Sequence, residues 1–288
     1  MNRVPRSSFI VHRSSFIVCV LFASCVERAV TTHDDLGRAV TLPNEIHRVV
    51  SLAPNLTEIV FALGAGDKLA GTDDFSNFPP PARALPKVGG MQPNVEKIAA
   101  LKPDLIIAST EGNHPNLAQA LEAAGIPLYV VRTDRLHEIE PAMRRLGELL
   151  HASGTNDAPR RLREDILRQS RKRERPLRIL FAVWTDPLYV AGRNTFTDDL
   201  LRLTGAQNAV QVTGWPQYSL ESLAASPPDL ILYPRGAVTP QQMKVLMQRV
   251  PSLRAEVVPV DEDVFQRPGP RVVLAAAALN AILDARTR

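Results

Sequence analysis

The sequence predicts an α/β protein of two lobes, each a mostly parallel sheet flanked by helices, joined by one long bridging helix. Three observations predict it. Compact apolar runs of strand length alternate with helix-period segments along the chain, the pattern of parallel strands whose crossover helices cover both faces. An eleven-residue unit recurs: residues 96–106 read EKIAALKPDLI and residues 221–231 read ESLAASPPDLI, with seven identical positions at a constant offset of 125. Between the copies lies a polar segment with no glycine from Ala158 to Arg173, suited to a largely solvated helix. At 288 residues the chain is long for one core and ample for two.

In the first half, strands are expected at 48–52, 68–72, 104–108 and 127–131. Asn55 opens Asn-Leu-Thr-Glu, a capping-box pattern with Glu58 three residues on, and Gly64 stands where that helix should stop. A second helix is expected at 116–124, ended by Gly125. Pro141 fits a helix start, residues 154–156 look like a break, and Pro159 falls in a first turn, where proline is tolerated. In the second half, strands are expected at 178–183, 188–191, 229–233 and 256–260. The resulting division is an export segment 1–25, an exposed lead 26–46, an N-terminal lobe 47–155, a bridging helix 156–175 and a C-terminal lobe 176–288.

Composition excludes several classes. With 45% apolar and 22% charged residues the chain is neither disordered nor collagenous, and no run reaches the ~18 apolar residues of a spanning helix. Eight cations against four acids in residues 157–175 account for the whole net charge of +4, so there is no chain-wide footprint for nucleic acid. Both cysteines, Cys19 and Cys25, precede the body, which leaves it without a disulfide or thiolate metal site. The six histidines are scattered, with no pair at helical spacing, so no metal centre is expected. No Gly-x-Ser-x-Gly, P-loop or Gly-x-Gly-x-x-Gly is present, and no enzymatic activity or cofactor is expected.

The first residues read as an export signal. Arg3, Arg6 and Arg13 precede a short apolar core at 16–23. Leu-Phe-Ala-Ser-Cys then looks like a bacterial lipoprotein box in which Cys25 is lipidated, a plain signal-peptidase cut being the alternative. A periplasmic protein is expected, anchored through Cys25 in the first case. RSSFIV occurs twice, at 6–11 and 13–18, which leaves the true start codon open.

In each copy of the repeat a small polar residue, Asn94 or Ser219, stands two positions before a glutamate, Glu96 or Glu221. This is a capped helix N-terminus with a carboxylate in its first turn. Two readings remain open on the residues alone. The glutamates complement the helix dipole, or they form a matched pair that registers basic groups of a two-fold symmetric partner.

At this point the chain, over residues 48–285, resembles the substrate-binding proteins of bacterial ABC importers for cobalamin, within the wider group serving iron-siderophores and haem. The resemblance rests on RVVSLAPNLTE (48–58), FALGAG (61–66), FSNFP (75–79), LPKVGG (85–90), LKPDLI (101–106), WPQ (215–217) and FQRPGPR (265–271). It implies two lobes joined by a single long helix, a corrinoid such as cobalamin held in the cleft, and only small movement on binding. It implies that Glu96 and Glu221 dock onto arginines of a permease dimer in the inner membrane. Phe75 matches an aromatic that contacts the corrin, Trp215 a cleft tryptophan, and Asp263 with Arg267 a pair that hydrogen-bonds the ligand's rim. Met91 stands where the family often has an aromatic, and methionine too packs on a flat ring. Trp184 follows the strand at 178–183, where a cleft residue is expected. Core packing is the competing reading for both tryptophans, and a salt bridge for Asp263 and Arg267. The ligand carries its own cobalt, so no protein metal or cofactor is required, and the free protein is expected to be a monomer. A ferric siderophore or haem is the alternative ligand, calling for several arginines or a Tyr/His ligand; a tetrapyrrole-handling enzyme is the alternative class.

Overall fold

The computed structural model describes residues 29–110 and 115–286; the expected export segment and Cys25 lie outside the described residues. The chain enters as an antiparallel hairpin, β1 (Ala29–His33) and β2 (Ala39–Pro43). β1 is exposed over most of its length, as expected of a lead, whereas β2 is not. Alternation along β2 turns Val40 and Leu42 inward, and both are buried in the core. Asp34 holds the turn: its carboxylate accepts from the amides of Leu36 and Arg38 and from the Arg38 guanidinium at 2.6–3.0 Å. Burial works to raise that carboxyl's pKa, but the hydrogen bonds and charge of Arg38 win and hold it below the ordinary value.

The N-terminal lobe follows as β3 (Val49–Ser51), α1 (Pro54–Ala62), β4 (Leu69–Thr72), α2 (Val95–Ala100), β5 (Leu105–Ser109), α3 (Pro115–Ala123), β6 (Leu128–Val131) and α4 (Leu136–Leu149). Its sheet has the order β4-β3-β5-β6, parallel throughout. After α5 (Asp157–Gln169) comes the second lobe: β7 (Arg178–Thr185), β8 (Leu188–Val190), α6 (Phe196–Leu203), β9 (Gln207–Asn208), α7 (Leu220–Ala225), β10 (Leu230–Pro234), α8 (Pro240–Arg249), β11 (Glu256–Val260), α9 (Glu262–Phe265) and α10 (Val272–Asp284). Here β9, β7, β10 and β11 repeat the parallel order of the first lobe, and β8 adds an antiparallel edge to the far end of β7. The lobes are two copies of one plan.

Period-2 alternation sorts each strand between two cores. Ile106 and Ala108 of β5 face a core peculiar to the first lobe, and Leu180 and Ala182 of β7 face one peculiar to the second. Leu105 and Ile107, with Ile179 and Phe181, belong instead to one continuous cluster shared by both lobes and filled by α1, α4, α6 and α10. The two units are therefore fused by a common apolar layer.

Three helix expectations are corrected. α1 begins at Pro54 with Ala53 as an unaided cap; Asn55 does not cap, because its amide donates across the cleft floor to Thr133 Oγ1 (2.9 Å) and Pro268 O (3.2 Å). Pro141 lies inside α4, whose start is set by Arg135 with Glu138 returning to its amide at 2.9 Å. The helix between lobes is shorter than 156–175. Ser170 turns extended and residues 171–173 dock on the end of α6, where Arg171 N donates to Leu203 O and Arg173 Nε to Thr204 O (each 2.9 Å). Its solvated character holds: only Pro159 and Leu162 are buried, while Arg160 pairs with Asp157 and Glu164 along its exposed face. Gly64 and Gly125 end α1 and α3 as expected, with φ of 76° and 68° that favour glycine.

Candidate functional site between the lobes

In parallel sheets ligands gather at the carboxyl ends of the strands. A cavity of about 510 Å³ opens there, beyond Leu52 at the end of β3 and Ser109 at the end of β5, and the segment 262–268 of the second lobe closes its other side. Phe75 and Met91 line it and are 52% and 71% exposed, the kind of unpaired apolar surface that a ligand covers. Gly90 lies against the Phe75 ring so closely that a Cβ there would come 3.0 Å from it. A side chain at 90 would displace the ring.

Phe75 is mounted on a buried polar relay that the sequence did not announce. Asp73 accepts from Phe75 N (3.3 Å) and from Ser76 Oγ, and Ser76 Oγ meets Thr57 Oγ1 at 2.8 Å. Thr57 in turn donates to Ser51 Oγ at 2.9 Å. Lys87 Nζ closes the relay on Thr72 Oγ1 and Ser76 O at 2.8 and 2.6 Å. Burial pushes the Asp73 carboxyl above its usual range and the Lys87 ammonium below its own.

Asp263 and Arg267 line the same cavity, 2.5 Å apart. Their hydrogen bonds run chiefly across the lobes. Arg267 donates to Asn77 Oδ1 (2.8 Å) and Phe75 O (3.2 Å), and Asn77 Nδ2 donates to Asp263 (2.8 Å). Beside them Arg271 forms a two-pronged pair with buried Glu58 at 2.6 and 2.9 Å and lies 4.4 Å over the Phe78 ring. On the opposite flank Arg135 grips Asp199 through two bonds of 2.6 and 2.8 Å. Both clamps join one lobe to the other. Glu58, taken from sequence as a helix cap, is the buried acid of the first clamp; its partner sits 213 residues away, beyond reach of any local pattern.

Trp184 and Trp215 do not line this cavity. Both belong to the second lobe, 42% and 45% exposed, which overturns core packing as their role. Trp184 pairs with Tyr189 across β7 and β8, and its indole donates to Asp186 O (3.0 Å). Trp215 precedes Pro216 and Gln217, which bond back onto Val190 and Tyr189.

The repeated glutamates stand apart from the cavity. Glu96 and Glu221 are exposed in the first turns of α2 and α7, one per lobe, behind Asn94 and Ser219, whose side chains accept from Lys97 N (2.8 Å) and Ser222 N (3.0 Å). Hydrogen bonds from its own amide and from Ser219 hold the Glu221 carboxyl below its usual pKa. The frame beneath is repeated in detail. Asp104 accepts from Arg48 N (2.8 Å), and Asp229 from Arg178 N (2.7 Å). Arg48 folds onto Leu101 O at the end of α2, as Arg178 folds onto Ser226 Oγ and Pro227 O after α7.

A duplicated lobe, a cleft at the strand ends and mirrored acidic helix starts agree with the match of residues 49–251 to the periplasmic binding protein family. The chain belongs to that family. The vitamin B12-binding protein of Yersinia pestis (strain Pestoides F) is 33% identical over 247 residues, spanning 83% of this chain and 88% of that protein. Among solved structures, the periplasmic vitamin B12 binding protein of Vibrio cholerae superposes with a TM-score of 0.72 at 29% identity, covering 83% of this chain and 97% of that one. A periplasmic heme binding protein of Pseudomonas aeruginosa gives 0.74 at 28% identity, covering 84% and 94%. These relatives are solute-binding proteins, not enzymes, and family membership implies a periplasmic location for this binding protein. Among the described residues no cluster of His, Cys, Asp or Glu could hold a metal ion, and no helix is long and apolar enough to cross a membrane.

Proposed function

We propose that this binding protein captures a corrinoid, cobalamin or a close relative, in the interlobe cleft and delivers it to an ABC permease dimer. The cavity lining carries the reading. It offers exposed Phe75 and Met91 to a flat macrocycle and polar groups to its rim, and among the described residues it includes no His, Tyr or Cys that would take up haem iron. Relatives named for vitamin B12 support the same ligand. Trp184 and Trp215 would meet the part of the ligand that extends beyond the cavity over the second lobe. Glu96 and Glu221, exposed and equivalent on the two lobes, would register the loaded protein on paired arginines of the permease, with Cys25 as a lipid anchor. Titration calorimetry against cyanocobalamin, hemin and a ferric siderophore tests the ligand. Stoichiometric uptake of cyanocobalamin, recovered chemically unchanged, is expected; tight binding of hemin without cyanocobalamin would overturn it.

A further inference from the structure

Resting on the corrinoid reading, we infer that Asp134 and Glu262 make the cleft selective for corrinoids carrying positive charge at the metal. Among the described residues the lining holds Asp73, Asp134, Glu262 and Asp263 against a single cation, Arg267. Two acids in and behind the cavity are ion-paired, Asp263 with Arg267 at 2.5 Å and Glu58 with Arg271 at 2.6 Å, and Asp73 accepts hydrogen bonds from Ser76 Oγ and Phe75 N. Asp134 and Glu262 remain. Among the described residues Asp134 forms no ion pair and accepts from one hydroxyl, Thr110 Oγ1 at 2.5 Å, while the neighbouring Arg135 is engaged by Asp199. Among the described residues Glu262 forms no ion pair or side-chain hydrogen bond; its carboxylate lies against Gly236, where a Cβ would collide with it.

These two carboxylates enter from different lobes, Asp134 after β6 and Glu262 at the start of α9. Among the described residues neither has an ion-pair partner, so their fields add in the gap. Between low-dielectric walls such a surplus attracts a cation and repels an anion. A ligand with carboxylate arms, such as haem, meets repulsion at both rims, and a neutral corrinoid meets none. A corrinoid whose cobalt carries water in place of cyanide brings one positive charge on the same macrocycle.

The test compares aquacobalamin with cyanocobalamin by calorimetry in mildly acidic, low-salt buffer, on the full-length protein and on an Asp134→Asn, Glu262→Gln double variant. Aquacobalamin is expected to bind about tenfold more tightly, and the ratio to fall toward one in the double variant and in about 0.5 M salt. Cooperative denaturant unfolding of the double variant, with a midpoint near that of the parent, will show that it is folded. Equal affinities for the two corrinoids overturn the inference and leave the corrinoid reading standing. A preference that survives both the variant and the salt overturns it too, since it would arise from coordination at cobalt and not from these charges. Failure of both corrinoids to bind removes the corrinoid reading itself.

Discussion

The two lobes agree where the backbone must be anchored and differ where a ligand is met. Each begins its central strand with an arginine laid over the end of a short capped helix, and each uses the aspartate of a Pro-Asp pair to hold that strand's first amide. At the cleft the likeness ends. The first lobe presents Phe75 and Met91 over a buried relay of hydroxyls, a lysine and an aspartate. The second has added β8, and with it a half-exposed group of Trp184, Tyr189 and Trp215. The shared frame suits the registration on a symmetric partner proposed above, and the asymmetric lining suits the proposed ligand, which is not itself symmetric.

The symmetric half of this comparison breaks most visibly at the repeated glutamates. Glu96→Ala with Glu221→Ala should abolish uptake by cells while the purified variant keeps its ligand affinity within about twofold, exposed rim charges contributing little to a distant site. Each single substitution should give a partial loss of similar size; loss of binding in the soluble protein would instead make these acids part of the cleft.

Removal of the clamp that fuses the lobes should have the largest effect on stability. Glu58→Ala leaves the Arg271 guanidinium without its buried partner, and denaturant unfolding should show a loss of about 3 kcal/mol. A loss within the noise would mean that the shared apolar core alone joins the lobes.

The hairpin is an addition to the first lobe alone, and Asp34→Asn should lower stability by about 2 kcal/mol at neutral pH. Because the folded carboxyl titrates below its ordinary value, this contribution is full above the unfolded pKa and fades as pH falls through the folded one. Unfolding curves of parent and variant should therefore converge in strong acid. Parallel curves would place the effect in packing and not in charge.

At the ligand, Phe75→Ala should weaken binding by about 2 kcal/mol and Trp215→Ala by about 1 kcal/mol, the first being inside the cavity and the second outside it. Equal or reversed losses in calorimetry would assign the main stacking face to the second lobe. The smallest contrast lies in the frame. Asp104 accepts two amides, from His47 and Arg48, where Asp229 accepts that of Arg178. Asp104→Ala should then cost about 1–2 kcal/mol and Asp229→Ala about 1 kcal/mol; the reverse order would show that the two anchors are not equivalent.

The sequence by itself determined the elements of the two lobes that are written in local periodicity. All eight expected strands are present, because apolar runs bounded by Gly, Pro and Asp leave a strand few alternatives. The two-lobed plan was legible in the repeat, and the caps Asn94 and Ser219 were legible because a cap acts within three residues. Phe75, Met91, Asp263 and Arg267 were brought to the cleft by motif, and the structure collects all four in one cavity. Tertiary structure alone decided which polar groups serve as local caps and which as long-range partners. Asn55 and Glu58 fit a capping box, yet helix α1 faces the other lobe, and a buried guanidinium from residue 271 outcompetes a local amide for the carboxylate. The balance of charge in the cleft was hidden for the same reason: neutralisation depends on distance in space, and among the described residues Asp134 and Glu262 have no ion-pair partner while Arg135, Arg267 and Arg271 are engaged by other acids.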